Sequence, residues 1–146
     1  MIYCLIYISD ALKAMQNSEL KEILEYSQKQ NKSRNITGYL VYVEGKTSMQ
    51  NYGRFIQVLE GPESEVTKLF KSIVADERHE KVTLIKNGII NSRNFSAWEM
   101  GFERISLDND PTLQGFFNLN HKVLSLDGDM NNNMLLNFMK SFYKTI

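Results

Sequence analysis

RFIQVLEGPESEVTKLFKSIV, Arg54 to Val74, decides the fold. Its first part, Arg54 to Leu59, is rich in β-branched and aromatic residues and reads as a strand. Gly61-Pro62 then opens a helix: glycine can cap, and proline suits the first helical position. Glu63 and Glu65 fall at the positive end of that helix. Val66, Leu69, Phe70, Ile73 and Val74 recur at helical spacing, so one face of the helix is apolar. A strand passing directly into an amphipathic helix is half of a layered α/β unit.

Working outward, the pattern repeats upstream. Ile36 to Val43 reads as a strand, joined to Arg54 by a polar connection, Glu44 to Gly53, taken as a long hairpin loop. Before it, Asn31 to Asn35 is a polar loop, and a helix starts near Ser18, with Leu20, Ile23, Leu24 and Ser27 on one face. The N-terminal Ile2 to Ile8 is apolar on both faces: Tyr3, Leu5 and Tyr7 on one, Ile2, Cys4, Ile6 and Ile8 on the other. Such a strand belongs in the middle of a sheet covered on both sides. Downstream, Val82 to Ile90 is a fourth strand, expected to bulge near Gly88, and Ser96 to Phe102 a fifth. The order β-α-β-β-α-β-β is α+β and ferredoxin-like, two helices lying on one face of the sheet. Residues 1–103 form that domain. Residues 104–146 read as a helical extension, Pro111 to Phe117 and Asn131 to Tyr143, expected to cover the other face.

The chain of 146 residues is one domain's length and can bury a real core. Its 17 basic and 17 acidic residues cancel, which disfavours direct nucleic-acid binding or an anionic membrane. One cysteine excludes an internal disulfide framework and a cysteine-based zinc cluster, and two histidines are too few for a histidine-rich metal site. The N-terminus lacks a basic stretch and a cleavage site, and no stretch reaches the ~20 apolar residues of a membrane span. The expected location is cytoplasmic.

Phosphate-loop, dinucleotide and nucleophile-elbow motifs are absent from the sequence. Cys4 sits in a buried strand, where a thiol is inert filler. Asp76 and Glu77 read as a solvated helix end. One residue stands out. Gln57 shares its strand face with Phe55 and Leu59, and an amide facing a core costs ~1–3 kcal/mol unless hydrogen-bonded. Tyr7, on the central strand, also needs a partner. Either the two bond each other or the backbone, or both address a polar heterocycle held between sheet and helices.

These residues resemble the BLUF domains, blue-light sensors using flavin. The resemblance runs from Ile2 to about Met100, on Leu5-Ile6-Tyr7, Asn31 with Asn35-Ile36-Thr37-Gly38, Phe55-Ile56-Gln57-Val58-Leu59-Glu60-Gly61, Asp76-Glu77-Arg78-His79 and Phe95-Ser96-Ala97-Trp98-Glu99-Met100. It implies FAD bound between the two helices, with FMN or riboflavin as possible substitutes. It implies Tyr7 as electron donor to the excited flavin and Gln57 as the amide between that phenol and the flavin. Asn31 would bond the flavin's polar edge, Ile23 would pack on the ring, and Arg78 and His79 would lie near the ring and its ribityl side. Trp98 and Met100 would relay the signal.

The resemblance implies a photocycle, not an enzyme: electron and proton leave Tyr7 and return, Gln57 rearranges, and absorption shifts reversibly to the red. The Glu44 to Arg54 connection is longer than the family's usual one. Within these residues no cyclase or phosphodiesterase follows, so output through a downstream protein or a homo-oligomer is expected. Three other readings stay open. Tyr52 to Val58 faintly echoes the base-stacking strand of RNA-recognition modules; a phosphate-transfer enzyme can share this fold; and a BLUF-like module can have lost its flavin.

Overall fold

The computed structural model describes residues 1–46 and 51–106, with side chains described through 46 and from 53 to 102. Seven elements follow in the expected order: β1 (Ile2–Ala11), α1 (Asn17–Ser33), β2 (Thr37–Lys46), β3 (Asn51–Gly61), α2 (Glu63–Val74), β4 (His79–Ile90) and β5 (Trp98–Ser106). The strands form one sheet in the order β4-β1-β3-β2-β5. All neighbours are antiparallel except β2 and β5, which run parallel. β1, β3 and β2 are thus interior, and β1 lies where its two-sided apolar character requires.

The two faces separate as the alternation of β1 predicts. Leu5, Tyr7, Leu40, Tyr42, Phe55 and Leu59 pack with Leu20, Ile23 and Val66 of the helices. Cys4, Ile6, Ile8, Val41, Val43, Ile56 and Val58 are buried on the opposite face. Each aliphatic side chain buried there contributes about 1.5–3 kcal/mol. The expected helices of 104–146 lie outside the described residues.

Several boundaries differ from the sequence reading, each for a local reason. The helix α1 starts before Ser18: Gln16 is its cap residue, and its N–H donates to the Glu19 carboxylate at 3.0 Å. The helix also runs through Ser33, so Asn31 sits in its last turn rather than in a loop. Asn35 makes the exit with a positive φ of 58°, which asparagine tolerates. The expected hairpin loop is largely strand, since β2 and β3 stay paired out to Lys46 and Asn51. Pro62, not Gly61, caps α2, its carbonyl accepting from Val66 at 3.0 Å. Gly61 is needed for space: a Cβ there would lie 2.7 Å from the Asn35 carbonyl oxygen. The β4 irregularities fall opposite Ile6/Tyr7 and Ile8/Asp10, while Gly88 pairs regularly with Cys4. The first shift leaves Ile85 unpaired, and its side chain is buried in the far-face core.

Candidate functional site

Tyr7 and Gln57 are direct partners in the β1–β3 ladder, so both side chains project from the same face, toward the helices. Gln57 Nε2 donates to Tyr7 Oη at 2.6 Å. Trp98, at the start of β5, reaches the same amide: its Nε1 donates to Gln57 Oε1 at 2.9 Å. All three side chains are buried. An indole N–H only donates, so it fixes which end of the amide is oxygen and which is nitrogen. The Tyr7 oxygen accepts in this arrangement, leaving its own hydrogen for another acceptor.

The trio borders a cleft of about 200 Å³ between α1 and α2, above β1, β3 and β2. Ile23 lies on its wall, and so do Asn31, Arg78 and His79. Seven of the eight residues singled out in the sequence therefore converge on one space. Met100 does not line it; it is buried beside Leu40, its partner in the β2–β5 ladder.

The polar groups differ in what they offer. Asn31 is only 3% exposed. An amide that deep must be satisfied, and the cleft is where a ligand's polar edge can do so. Its main-chain carbonyl is already used, accepting from Ile36 at 2.9 Å. His79 is held at both nitrogens, Nε2 by the Ile73 carbonyl at 2.6 Å and Nδ1 by Ser9 Oγ at 2.7 Å. A carbonyl only accepts, so Nε2 carries a hydrogen. The ring thus presents its body, edge-on to Tyr7 and Phe55, rather than a free nitrogen. Arg78 Nε and Nη2 both donate to the Asp76 carboxylate. That hydrogen bond holds the Asp76 carboxyl below its ordinary range. Asp76 lines the cleft too, so it anchors the Arg78 guanidinium there instead of being a solvated helix end. Gln30 and Arg34 are further lining residues that the sequence reading passed over. The one-turn spacing of Gln30 from Ser27 and of Arg34 from Asn31 was the available signal.

Burial pushes the Tyr7 phenol well above its ordinary pKa; donation from Gln57 opposes this, and the charge of Asp76 adds to it. The phenol therefore stays protonated at neutral pH and holds a proton it can give up on oxidation. Burial, then the negative charge of Glu60, pushes the Cys4 thiol up to about 12, so it is no nucleophile. Among the described residues there is no cluster of groups suited to a metal ion. Nor is there a helix long and apolar enough to cross a membrane. Of the two aromatics in the RNA-recognition reading, Phe55 is buried against the helices, where no base can stack on it, and the Tyr52 side chain lies outside the described residues.

An apolar wall, a buried amide and a phenol–amide pair suit a flat, partly polar ring system. Comparison with known proteins agrees. A family model described as "Sensors of blue-light using FAD" matches residues 2–101. Photoactivated adenylate cyclase subunit alpha of Euglena gracilis is 36% identical over 93 residues, 64% of this chain but 8% of that protein. This chain therefore spans a small part of that relative. Among solved structures, a bacterial light-regulated adenylyl cyclase is 31% identical with a TM-score of 0.64, over 95% of this chain and 40% of that one. BlsA in its photo-activated state aligns over 95% of this chain and 94% of its own, with a TM-score of 0.67 and 25% identity. By its sequence, its ferredoxin-like sheet and the match over residues 2–101, the chain belongs to the BLUF family of blue-light sensors that use FAD.

Proposed function

We propose that this chain is a blue-light photoreceptor that holds FAD non-covalently in the α1–α2 cleft, with Tyr7 as electron and proton donor and Gln57 as the switch. The observation that carries this is the chain of hydrogen bonds Trp98→Gln57→Tyr7 bordering the cleft. A bound flavin supplies the blue absorption and, when excited, an oxidant. Tyr7 gives up an electron and then its phenolic proton, and takes both back. Gln57 can exchange its donor and acceptor ends with almost no change of shape. In the starting arrangement its oxygen is committed to Trp98. Reversing the amide sets NH2 against the indole N–H, so the reversed form requires Trp98 to shift. Trp98, and Met100 two residues on in β5, thereby carry the change out of the cleft.

Asn31 serves the polar edge of the ring and Ile23 its face. Arg78, held by Asp76, and the ring of His79 serve the side-chain end. FMN or riboflavin satisfies the same ring contacts. No net reaction results, so the chain is a sensor rather than an enzyme, and its output passes to a partner protein or a sister subunit. Residues 104–146 are proposed as the segment that meets that partner. The test is direct: the purified protein should be yellow, with a flavin spectrum that shifts to the red in blue light and recovers in darkness. A colourless protein that takes up none of the three flavins would overturn the reading in favour of a flavin-free interaction module.

A further inference from the structure

Glu60 is a fully buried carboxylate three residues beyond Gln57, on the opposite face of β3. Burying a carboxylate is expensive unless several donors meet it. Here the donors come from two separate segments. One oxygen accepts from the main-chain N–H of Phe95 at 3.1 Å and from Thr37 Oγ1 at 3.2 Å. The other accepts from the main-chain N–H of Asn94 at 2.7 Å and from its Nδ2 at 2.9 Å. Arg93 reinforces the same junction, donating to Thr37 Oγ1 at 2.7 Å and to the main-chain carbonyls of Glu60 and Asn35, each at 3.0 Å. The connection between β4 and β5 is thus fastened to the end of β3 and the start of β2.

That connection delivers Trp98. Phe95 stacks on Tyr39 with ring centroids 6.0 Å apart, Gly38 N–H donates to the Ala97 carbonyl at 3.1 Å, and the next residue is the indole that holds Gln57. Gly38 lies between Trp98 and Leu59 in the ladders, so the indole crosses β2 over a position without a side chain. The reach of Trp98 to Gln57 therefore depends on where the 93–97 segment is fixed.

We propose that Glu60 is a positioning residue whose carboxylate fastens the β4–β5 connection and so seats the Trp98 indole on the Gln57 carbonyl. Its consequence for the light response rests on the photosensor reading above; the seating itself does not. Each carboxylate oxygen takes one main-chain N–H, which cannot reverse. The isosteric Glu60→Gln variant can therefore satisfy only one of them, whichever way its amide turns.

Trp98 is the chain's only tryptophan, so its emission reports the seating without any flavin. In Glu60→Gln, still folded by circular dichroism, indole emission should move to longer wavelength and acrylamide quenching should rise several-fold. Ile85→Val, which thins the far-face core without removing any hydrogen bond of this junction, should leave emission unchanged at a comparable loss of stability. In the flavin-loaded protein, Glu60→Gln should also change the dark-recovery rate. If Glu60→Gln does not fold, Asn94→Ala decides, since it removes the Nδ2 donor to Glu60 while leaving both main-chain N–H donors in place, and should shift emission in the same direction. Native emission in the folded variant, or an equal shift in Ile85→Val, overturns the proposal. A protein without any light response, yet with the emission shift, overturns the photosensor reading and leaves the positioning role standing.

Discussion

The phenol of Tyr7 and the amide of Gln57 are each ordinary core liabilities that the structure turns into one unit. Tyr7→Phe removes the acceptor for Gln57 Nε2 and is expected to cost about 1–3 kcal/mol of stability. It should keep flavin binding and abolish the reversible red shift. A normal yield of the red-shifted form in Tyr7→Phe would remove Tyr7 as donor. Gln57→Leu leaves both the indole N–H and the phenol without their shared partner, at about 1–3 kcal/mol in denaturant titration. It should bind flavin and give no normal red-shifted form; an unchanged light-minus-dark spectrum would take Gln57 out of the mechanism. The need for a partner was legible in the sequence, because an amide sat between Phe55 and Leu59 on one strand face. That Trp98 supplies the second bond was not, since it depends on β5 lying parallel beside β2, and strand neighbours across a sheet leave no trace in local periodicity.

Elements were legible wherever apolar periodicity ran uninterrupted, as in α2 and β1, and were misjudged where polar residues are paired inside the fold. Glu44 read as loop, yet it is buried in β2, with the Tyr42 hydroxyl 3.5 Å away. Asn31 and Ser33 read as loop because polar residues at a helix end look like a turn. Gly38 shows what register demands of one position: a Cβ there would lie 2.0 Å from the Val58 carbonyl oxygen, and its φ is +150°. Gly38→Ala should therefore cost more than the ~1 kcal/mol of a typical substitution and lower the melting temperature by several degrees. A melting curve matching the original would show that β2 and β3 can part there without penalty. After α2, the Asp76–Arg78 pair has a pH signature. Its folded carboxyl pKa is depressed, so the pair contributes stability above the unfolded value, and the contribution is lost as pH falls through the folded one. Both groups are partly exposed, so Asp76→Asn should cost only about 0.5 kcal/mol at neutral pH. The difference from the original protein should shrink as pH falls through the folded Asp76 pKa, where that carboxyl loses its charge. Equal stability at pH 7 would show that solvent screens the pair completely.

At the scale of the whole molecule, the sheet serves two sides with different jobs. The helix side is opened by the cleft, while the far side is a continuous apolar surface from Cys4 through Val41 to Val58. β3 presents Gln57 to one side and Val58 and Glu60 to the other, so any change at the amide is one residue of backbone away from the far face. Residues 111–143 carry an apolar stripe, Met134, Leu135, Phe138, Met139 and Phe142, suited to a surface of that kind. We therefore propose that this stretch covers the far face and passes the signal on. Hydrogen exchange in dark and in light is the measurement. Protection within 111–143 should differ between the two states, and the difference should vanish in Gln57→Leu, which blocks the switch without touching the far face. Identical exchange in both states, with the flavin responding normally, would mean that the signal leaves by another route. The extended β2–β3 hairpin is then the alternative exit, since β3 carries the amide, β2 pairs beside it and both run well beyond it.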